Sequence, residues 1–167
     1  MTCLCLSPVE PCKRKNMGNA LSLAASIVTP LGVGTVIGVS MRDAVKAWYP
    51  TIRKPAWTPP NWLFGPVWTA LYCMMGVASH RVASVAGWTS KPLVLYGVQL
   101  VLNFLWSPLF FRWHKLGTAA VDITALLGVL YATMVEFGKV DTLSAQLLVP
   151  YLGWSCYATA LTCVMCL

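Results

Sequence analysis

The chain consists of five long apolar stretches separated by short polar connections. Four of these stretches contain no charged residue: 16–41, 55–79, 92–111 and 143–167. The other stretch, 116–135, contains only Asp122. A helix needs about 20 mostly apolar residues to cross a bilayer, and the alternating ten-residue segments of a transmembrane barrel are missing. The pattern predicts an all-α membrane protein, a bundle of five transmembrane helices at approximately 20–42, 61–81, 92–111, 116–136 and 143–166.

The same stretches define the domain organisation. Residues 1–16 precede the first apolar run and are predicted to form a flexible tail, and residues 17–167 are predicted to form one membrane domain. A cleaved signal peptide is a poor alternative for the first span, because no small-residue cleavage site is clear and four more spans follow.

Composition agrees with this environment. Of the 167 residues, 57% are hydrophobic and 10% are charged, whereas soluble domains average about 45–50% and about 25%. This excludes an ordinary water-soluble protein, and the lipid bilayer is the predicted surrounding. The net charge of +7 comes from Lys and Arg scattered in ones to threes. Because this is unlike a basic face with interleaved aromatics, no nucleic acid partner is expected.

Orientation is not decided by the positive residues. Each predicted membrane face carries six Lys and Arg residues in total. The positive-inside rule therefore gives a tie, and positive charge is distributed nearly evenly between the two faces. The amino-terminal side holds Lys13, Arg14, Lys15, Arg81, Lys91 and Lys139, and the other side Arg42, Lys46, Arg53, Lys54, Arg112 and Lys115.

The seven cysteines do not form a disulfide framework. Four lie in predicted spans, where cysteine usually acts as a small hydrophobe: Cys73, Cys156, Cys163 and Cys166. The spacing Cys163-x-x-Cys166 lacks the βαβ context of a redox motif. Three more cysteines precede the basic run of the tail: Cys3, Cys5 and Cys12. They have two interpretations, lipidation near a membrane surface or unmodified free thiols.

The segment 48–60, here called the lid, combines prolines with aromatic residues. Its prolines remove backbone donors and favour extended geometry, which predicts a folded but irregular loop between helices 1 and 2. The aromatic residues have two interpretations, an interfacial belt or a preorganised cover over a pocket, whose rigidity lowers the ordering cost of binding. They are Trp48, Tyr49, Trp57 and, just beyond the lid, Trp62.

Single prolines also occur in four of the five predicted spans. Each leaves one backbone carbonyl without its helical partner, which another group must satisfy in lipid. Kinked helices pack less closely than straight ones, so a cavity between the spans is expected. These prolines are Pro30, Pro66, Pro108 and Pro150.

Polar residues and tryptophans inside the spans are the candidates for lining such a cavity. Gln99, Asn103 and Ser107 recur every four residues and form one helical stripe, which would face the bundle interior or join helices; Trp106 borders it. Trp68 and Trp154 lie several residues inside their spans, too deep for a belt.

An indole offers a flat apolar face and one N–H donor. That chemistry suits a planar macrocycle with carboxylates at its rim, although bulky core packing is the alternative for Trp68 and Trp154. Four cations near the lid would attract such carboxylates: Arg42, Lys46, Arg53 and Lys54.

Three further features have simpler interpretations. Asp122 is the one acid inside a span and is costly there. It lies near the span's start, so a structural role is favoured, in which it reaches the membrane interface or pairs with Lys115 or Arg112. His80 and His114 lie at span ends, poorly placed as axial haem ligands, so no metal site is predicted. The spacing Gly34-x-x-x-Gly38 permits close helix approach within the bundle or between protomers.

Many of these residues together resemble the signature of the TSPO/MBR family, the translocator or tryptophan-rich sensory proteins, also called peripheral-type benzodiazepine receptors. The resemblance covers roughly residues 20–162 and rests on Trp48-Tyr49, Lys54-Pro55, Trp57, Pro59-Pro60, Trp62, Gly65-Pro66-Val67-Trp68, Leu71-Tyr72, Gly76, Ser79, Gln99, Asn103, Trp106, Pro108, Phe110-Phe111, Val121-Asp122, Pro150-Tyr151-Leu152 and Trp154.

The resemblance implies five transmembrane helices, a homodimer, and binding of porphyrins, haem-like tetrapyrroles and, in many members, cholesterol. It implies no obligatory cofactor, with porphyrin or haem as ligand. The ligand-binding residues it implies, together with the lid, are Trp48, Tyr49, Trp57, Trp62, Pro66, Trp68, Tyr72, Gln99, Asn103, Trp106 and Trp154.

Three positions depart from the family pattern. The carboxyl-terminal cholesterol pattern of animal members needs Tyr and Arg where this chain has Cys163 and Leu167, which puts sterol binding there in doubt. Thr118 occupies a position at which many family members have tryptophan. The tail before Asn16 has no counterpart in short members.

The expected function is a membrane receptor or carrier for porphyrins and possible sterol-like flat ligands, in tetrapyrrole transport or stress regulation. The first alternative is light- or oxygen-dependent porphyrin degradation through Trp68 and Trp154. It ranks below binding because no conventional active site is evident. The second is a scaffolding membrane protein. The mitochondrial outer membrane is the expected location in a eukaryote, with the ER, plastid or a bacterial membrane as alternatives.

Overall fold

The computed structural model describes residues 10–166, with side chains from Asn19 onward. Every regular element in this range is helical. The five long helices are α1 (Glu10–Ser40), α3 (Phe64–Ala86), α4 (Lys91–Ser107), α5 (Leu116–Val140) and α7 (Val149–Met165). With the short turns that extend them, five segments are long and apolar enough to cross a membrane. The predicted five-helix membrane bundle is confirmed.

Short helices give the connections their structure. Helix α2 (Arg42–Ala47) follows α1, and two 3₁₀ turns, Tyr49–Thr51 and Asn61–Leu63, lie at the two ends of the lid region. At the end of α4 the chain forms a π turn, Pro108–Arg112, and α6 (Thr142–Leu147) precedes α7. The loop between the first two spans is therefore structured, as its prolines predicted.

The prolines of the spans are placed differently from the prediction. Only Pro30 lies inside a continuous α-helix, where it is fully buried. Pro66 and Pro150 lie in the first turns of α3 and α7, where a backbone N–H has no intrahelical partner to lose. Pro108 begins the π turn at the end of α4. The expectation that single prolines kink four spans is wrong for Pro66 and Pro150, which mark helix starts.

The core of the bundle lies between α3, α4, α5 and α7, while α1 packs chiefly against α3. The contact between α1 and α3 depends on Gly76. A Cβ atom there would lie 2.6 Å from the Cα of Ile27 and 2.7 Å from the carbonyl oxygen of Ser26. Gly34 of α1 lies against the ring of Tyr72, so its close approach is made within the bundle.

Ion pairs join the helix ends at the face where α1 enters the bundle, here called the amino-terminal face. Arg81 donates two hydrogen bonds to Asp141, of 2.7 and 3.1 Å, and Glu136 accepts from both Lys91 and Lys139 at 2.9 Å. The guanidinium of Arg81, and then the Ser144 hydroxyl, hold the pKa of Asp141 well below its usual value. Because that pKa is lowered by folding, the pair stabilises the fold above about pH 4 and loses this effect as the pH falls further.

Candidate functional site

A cavity of about 690 Å³ lies beside the lid, between α1, α2, α3 and the end of α4. Its volume falls in the range of about 300–1,000 Å³ that is usual for small-molecule sites. Eight of its 23 lining residues are aromatic: Tyr49, Trp62, Phe64, Trp68, Tyr72, Phe104, Trp106 and Phe111. The cavity therefore offers flat apolar surface on several sides.

The aromatic wall is ordered by ring packing. Trp68 stacks on Tyr72, with centroids 5.4 Å apart and planes at 29°, and its edge meets Tyr151 at 6.1 Å. On the α4 side Trp106 stacks on Phe110 at 5.1 Å. Such contacts restrict the rotamers of the lining rings, so the wall keeps its shape before any ligand arrives.

The polar stripe of α4 lies at the inner side of the cavity. The Tyr72 hydroxyl donates to Oδ1 of Asn103 at 2.8 Å, and one turn away the Tyr151 hydroxyl donates to Oε1 of Gln99 at 2.9 Å. Asn103 and Ser107 line the cavity, whereas Gln99 is fully buried and does not. The stripe thus joins α4 to α3 and α7, and exposes part of itself to the cavity.

Positive charge is present on one side of the cavity. Arg42 and Lys46, one turn apart on α2, belong to the lining, and none of the lining residues is Asp or Glu. Arg53 and Lys54 do not line the cavity, although the Lys54 ammonium lies 4.4 Å from the centroid of the Tyr49 ring. An anionic group in the cavity would therefore meet two cations and no carboxylate.

Contacts at both ends attach the lid to the bundle, and near its start Tyr49 packs edge to face against Phe111 with centroids 5.6 Å apart. Trp48 stacks on His114 of the α4–α5 connection at 4.1 Å. The Tyr157 hydroxyl of α7 donates to the backbone carbonyl of Trp57 at 2.8 Å, and the two rings meet edge to face at 5.5 Å. Tyr49 of the lid is itself buried, and this burial, with Tyr157 nearby, raises the pKa of the Tyr49 hydroxyl.

A second, smaller cavity of about 20 Å³ lies between the lid and α7. It shares part of its wall with the large cavity: Tyr49, Phe64, Trp106 and Phe111. Trp154 lines this small cavity and not the large one. The indole N–H groups of Trp154 and Trp106 are buried without a hydrogen-bond partner.

The eleven predicted ligand-binding residues lie at several places in the structure. Six line the large cavity, namely Tyr49, Trp62, Trp68, Tyr72, Asn103 and Trp106. Trp48 and Trp57 belong to the lid attachments, and Trp154 lines the small cavity. Pro66 lies in the first turn of α3 and Gln99 lies buried behind the wall.

Two residues of the lid attachments had not been selected from sequence. Tyr157 lies one helical turn after Trp154 on α7, and that spacing could have indicated it. His114 has φ 53°, in the left-handed region that non-glycine residues rarely adopt, and no sequence signal indicates its stacking on Trp48.

Asp122 does not behave as expected. It is buried in α5 and makes no ion pair with Lys115 or Arg112, and its Oδ2 atom has no hydrogen-bond partner. The predicted pairing is therefore wrong, because the side chain turns toward the bundle instead of the membrane surface. Within the side chains described, no group of three or more His, Cys, Asp or Glu residues could hold a metal ion.

Comparison with known proteins covers nearly the whole membrane part. The model of the TspO/MBR family matches residues 26–167. The translocator protein of Homo sapiens is 41% identical over 144 residues, 84% of this chain and 82% of the relative. The tryptophan-rich protein TspO of Archaeoglobus fulgidus is 40% identical over 86% of this chain and 94% of its own length. The tryptophan-rich sensory protein of Cereibacter sphaeroides is 40% identical over 68% of this chain and 72% of its own length.

These relatives are named translocator or sensory proteins rather than enzymes. Their similarity and the five apolar helices agree on a multi-pass integral membrane protein. The resemblance noted in the sequence is confirmed by both comparisons. The chain belongs to the TspO/MBR family.

Proposed function

We propose that the protein is a membrane receptor and carrier that binds porphyrins, and other flat lipophilic ligands with acidic groups, in the large cavity. The observation that carries this proposal is the combination of aromatic walls with two cations and no acid in one cavity of about 690 Å³. A scaffolding protein would need neither the space nor the uncompensated charge.

The shape and charge of the cavity match the two parts of such a ligand. The stacked rings of Trp68 and Tyr72 present a flat surface for a macrocycle. Arg42 and Lys46 would meet the carboxylates at its rim, through charge-assisted hydrogen bonds. The Asn103 amide adds one polar group in the wall, where a ring nitrogen could be recognised.

The lid would control exchange between the cavity and its surroundings. Its attachments to His114 and Tyr157 hold it against α7 and the α4–α5 connection. Opening of the part of the lid around Trp57 requires the Tyr157 contact to break, whereas the stacked pair of Trp68 and Tyr72 can stay in place. Binding would then be limited by lid motion rather than by rearrangement of the helices.

The proposal is tested by tryptophan fluorescence in detergent, titrated with protoporphyrin IX. We expect saturable quenching for the native chain and a Kd about 5-fold higher for Trp68→Phe. The smaller ring stacks on less of the macrocycle and loses roughly 1 kcal/mol of binding free energy. Trp154→Phe is the matched variant and should change Kd less, since Trp154 does not line the large cavity. Weak, unsaturated quenching in all three proteins would contradict the proposal.

A second prediction concerns the lid. Tyr157→Phe keeps the ring contact and removes the hydrogen bond to Trp57. Because a net hydrogen bond contributes about 1 kcal/mol, the rates of porphyrin association and release should both rise about 5-fold with little change in Kd. Stopped-flow quenching measures both rates. Tyr131→Phe on the exposed side of α5 is the control, and equal kinetics in both variants would show that the lid contact does not limit exchange.

A second candidate function is light-dependent degradation of the bound porphyrin, with dioxygen as oxidant. It is favoured by the position of Trp68 in the large cavity and Trp154 behind a shared wall. Illumination of the complex in air, followed at the porphyrin absorption band, tests it. The idea fails if the native chain and the Trp68→Phe/Trp154→Phe variant bleach at equal rates.

The homodimer and the mitochondrial outer membrane location stay predictions. Sterol binding at the carboxyl end of α7 is not part of the proposal, because Cys163 replaces the tyrosine of the animal pattern.

A further inference from the structure

The cations of the two membrane faces differ in their partners. The lid face, where α1 ends and α5 begins, carries six exposed cations: Arg42, Lys46, Arg53, Lys54, Arg112 and Lys115. None of the six takes part in an ion pair, and the exposed carboxylate of Asp43 on this face is also outside any ion pair among the side chains described.

The described cations of the amino-terminal face are all in ion pairs. Arg81 is paired with Asp141, and Lys91 and Lys139 share Glu136. Equal numbers of Lys and Arg on the two faces therefore do not mean equal free charge among the side chains described. Among the side chains described, the lid face therefore carries the cations that are available to an external partner.

Exposed indoles lie among these free cations. Trp57, Trp62 and Trp113 are 48%, 71% and 55% exposed, and all three lie beside the ends of membrane-spanning helices on the lid face. An indole at this height is typical of the headgroup region, where its apolar ring and its N–H are both satisfied. A soluble acidic partner would use the charge but leave the indoles unexplained.

We propose that the lid face binds the headgroups of anionic phospholipids. Phosphate and carboxylate groups of the headgroups would be held by the guanidinium and ammonium groups, and the indoles would fix the depth of the lid in the same layer. The association is independent of the proposed porphyrin function, since it uses cations outside the cavity, such as Arg53, Arg112 and Lys115.

The test uses the full chain reconstituted in phosphatidylcholine vesicles, with electron spin resonance of spin-labelled phosphatidylserine or phosphatidylcholine. The fraction of motionally restricted label gives the selectivity for the anionic lipid. We expect at least about threefold preference for phosphatidylserine in the native chain, given the attraction of several cations near the surface. The variant Arg53→Gln/Arg112→Gln/Lys115→Gln removes half of the free cations and should lower the ratio clearly toward that of a neutral lipid.

The matched variant Arg81→Gln/Lys91→Gln/Lys139→Gln removes as many cations from the amino-terminal face, and should keep the preference because those cations are already paired. The native chain supplies a test without substitutions, since 1 M salt shortens the screening length to about 3 Å and should abolish the preference. The proposal is overturned if the native chain shows no preference, if the preference persists in 1 M salt, or if both variants lower it equally.

Discussion

Replacing Gly76 by valine is expected to separate α1 from the rest of the bundle. The new Cβ would meet backbone atoms of α1, the Cα of Ile27 at 2.6 Å and the carbonyl oxygen of Ser26 at 2.7 Å. Backbone atoms of a helix cannot turn aside as a side-chain end can, so the whole helix must move. We expect a loss of about 3 kcal/mol of stability, the upper part of the range for overpacked interiors.

The measurement is the midpoint of thermal unfolding in detergent, followed by circular dichroism. For a chain of this size the midpoint should fall by roughly 6–12 °C. Porphyrin binding should be lost as well, because α1 forms one wall of the cavity through Leu31, Ile37 and neighbouring residues. Gly128→Val is the matched control, since a Cβ at Gly128 meets no atom within 4 Å. Equal midpoints for the two variants would show that the α1–α3 contact tolerates a wider spacing.

Reversing both charges of the cavity should strongly lower its affinity for an acidic ligand while leaving the fold intact. In Arg42→Glu/Lys46→Glu, two attractive groups become two repulsive ones in a wall that holds no other charge. We expect Kd for protoporphyrin IX to rise by at least about 30-fold, equal to roughly 2 kcal/mol, at low salt. The effect should become smaller as salt screens the exposed ends of these side chains.

The dimethyl ester of protoporphyrin IX separates charge recognition from damage to the fold. It has the same ring without the carboxylates, so its Kd should be nearly the same for the native chain and the variant. Arg112→Glu/Lys115→Glu changes the same number of charges on the same face outside the cavity, and should leave both ligands almost unaffected. If the ester and the free acid weaken together, Arg42 and Lys46 do not recognise the carboxylates.

Much of the fold could be predicted because its signals are local. Apolar runs of about 20 residues are sufficient to place five spans, and the prolines around Trp57 are sufficient to indicate a structured loop. The spacing of Gln99 and Asn103 also predicted a shared helix face, and both side chains make hydrogen bonds to neighbouring helices. These features depend on periodicity along one helix.

The remaining features of the site depend on how each helix is rotated and on partners far away in the chain. Trp68 and Trp154 look alike in sequence, yet they line different cavities because α3 and α7 present different faces. The bond from Tyr157 to Trp57 joins residues 100 positions apart. Asp122 lies near two cations in sequence but faces the interior. No local pattern encodes these outcomes.

Only 6% of the residues in the most apolar part of the α1 span are buried inside the bundle, whereas the share is 33% in each of the other four spans. Its chief neighbour is α3, and most of its surface is left to the lipid. Because α1 meets the bundle mainly along α3, the close contact at Gly76 sets the position of this wall of the cavity. Apolar substitutions on the lipid-facing side of α1 should therefore leave the width of the cavity unchanged.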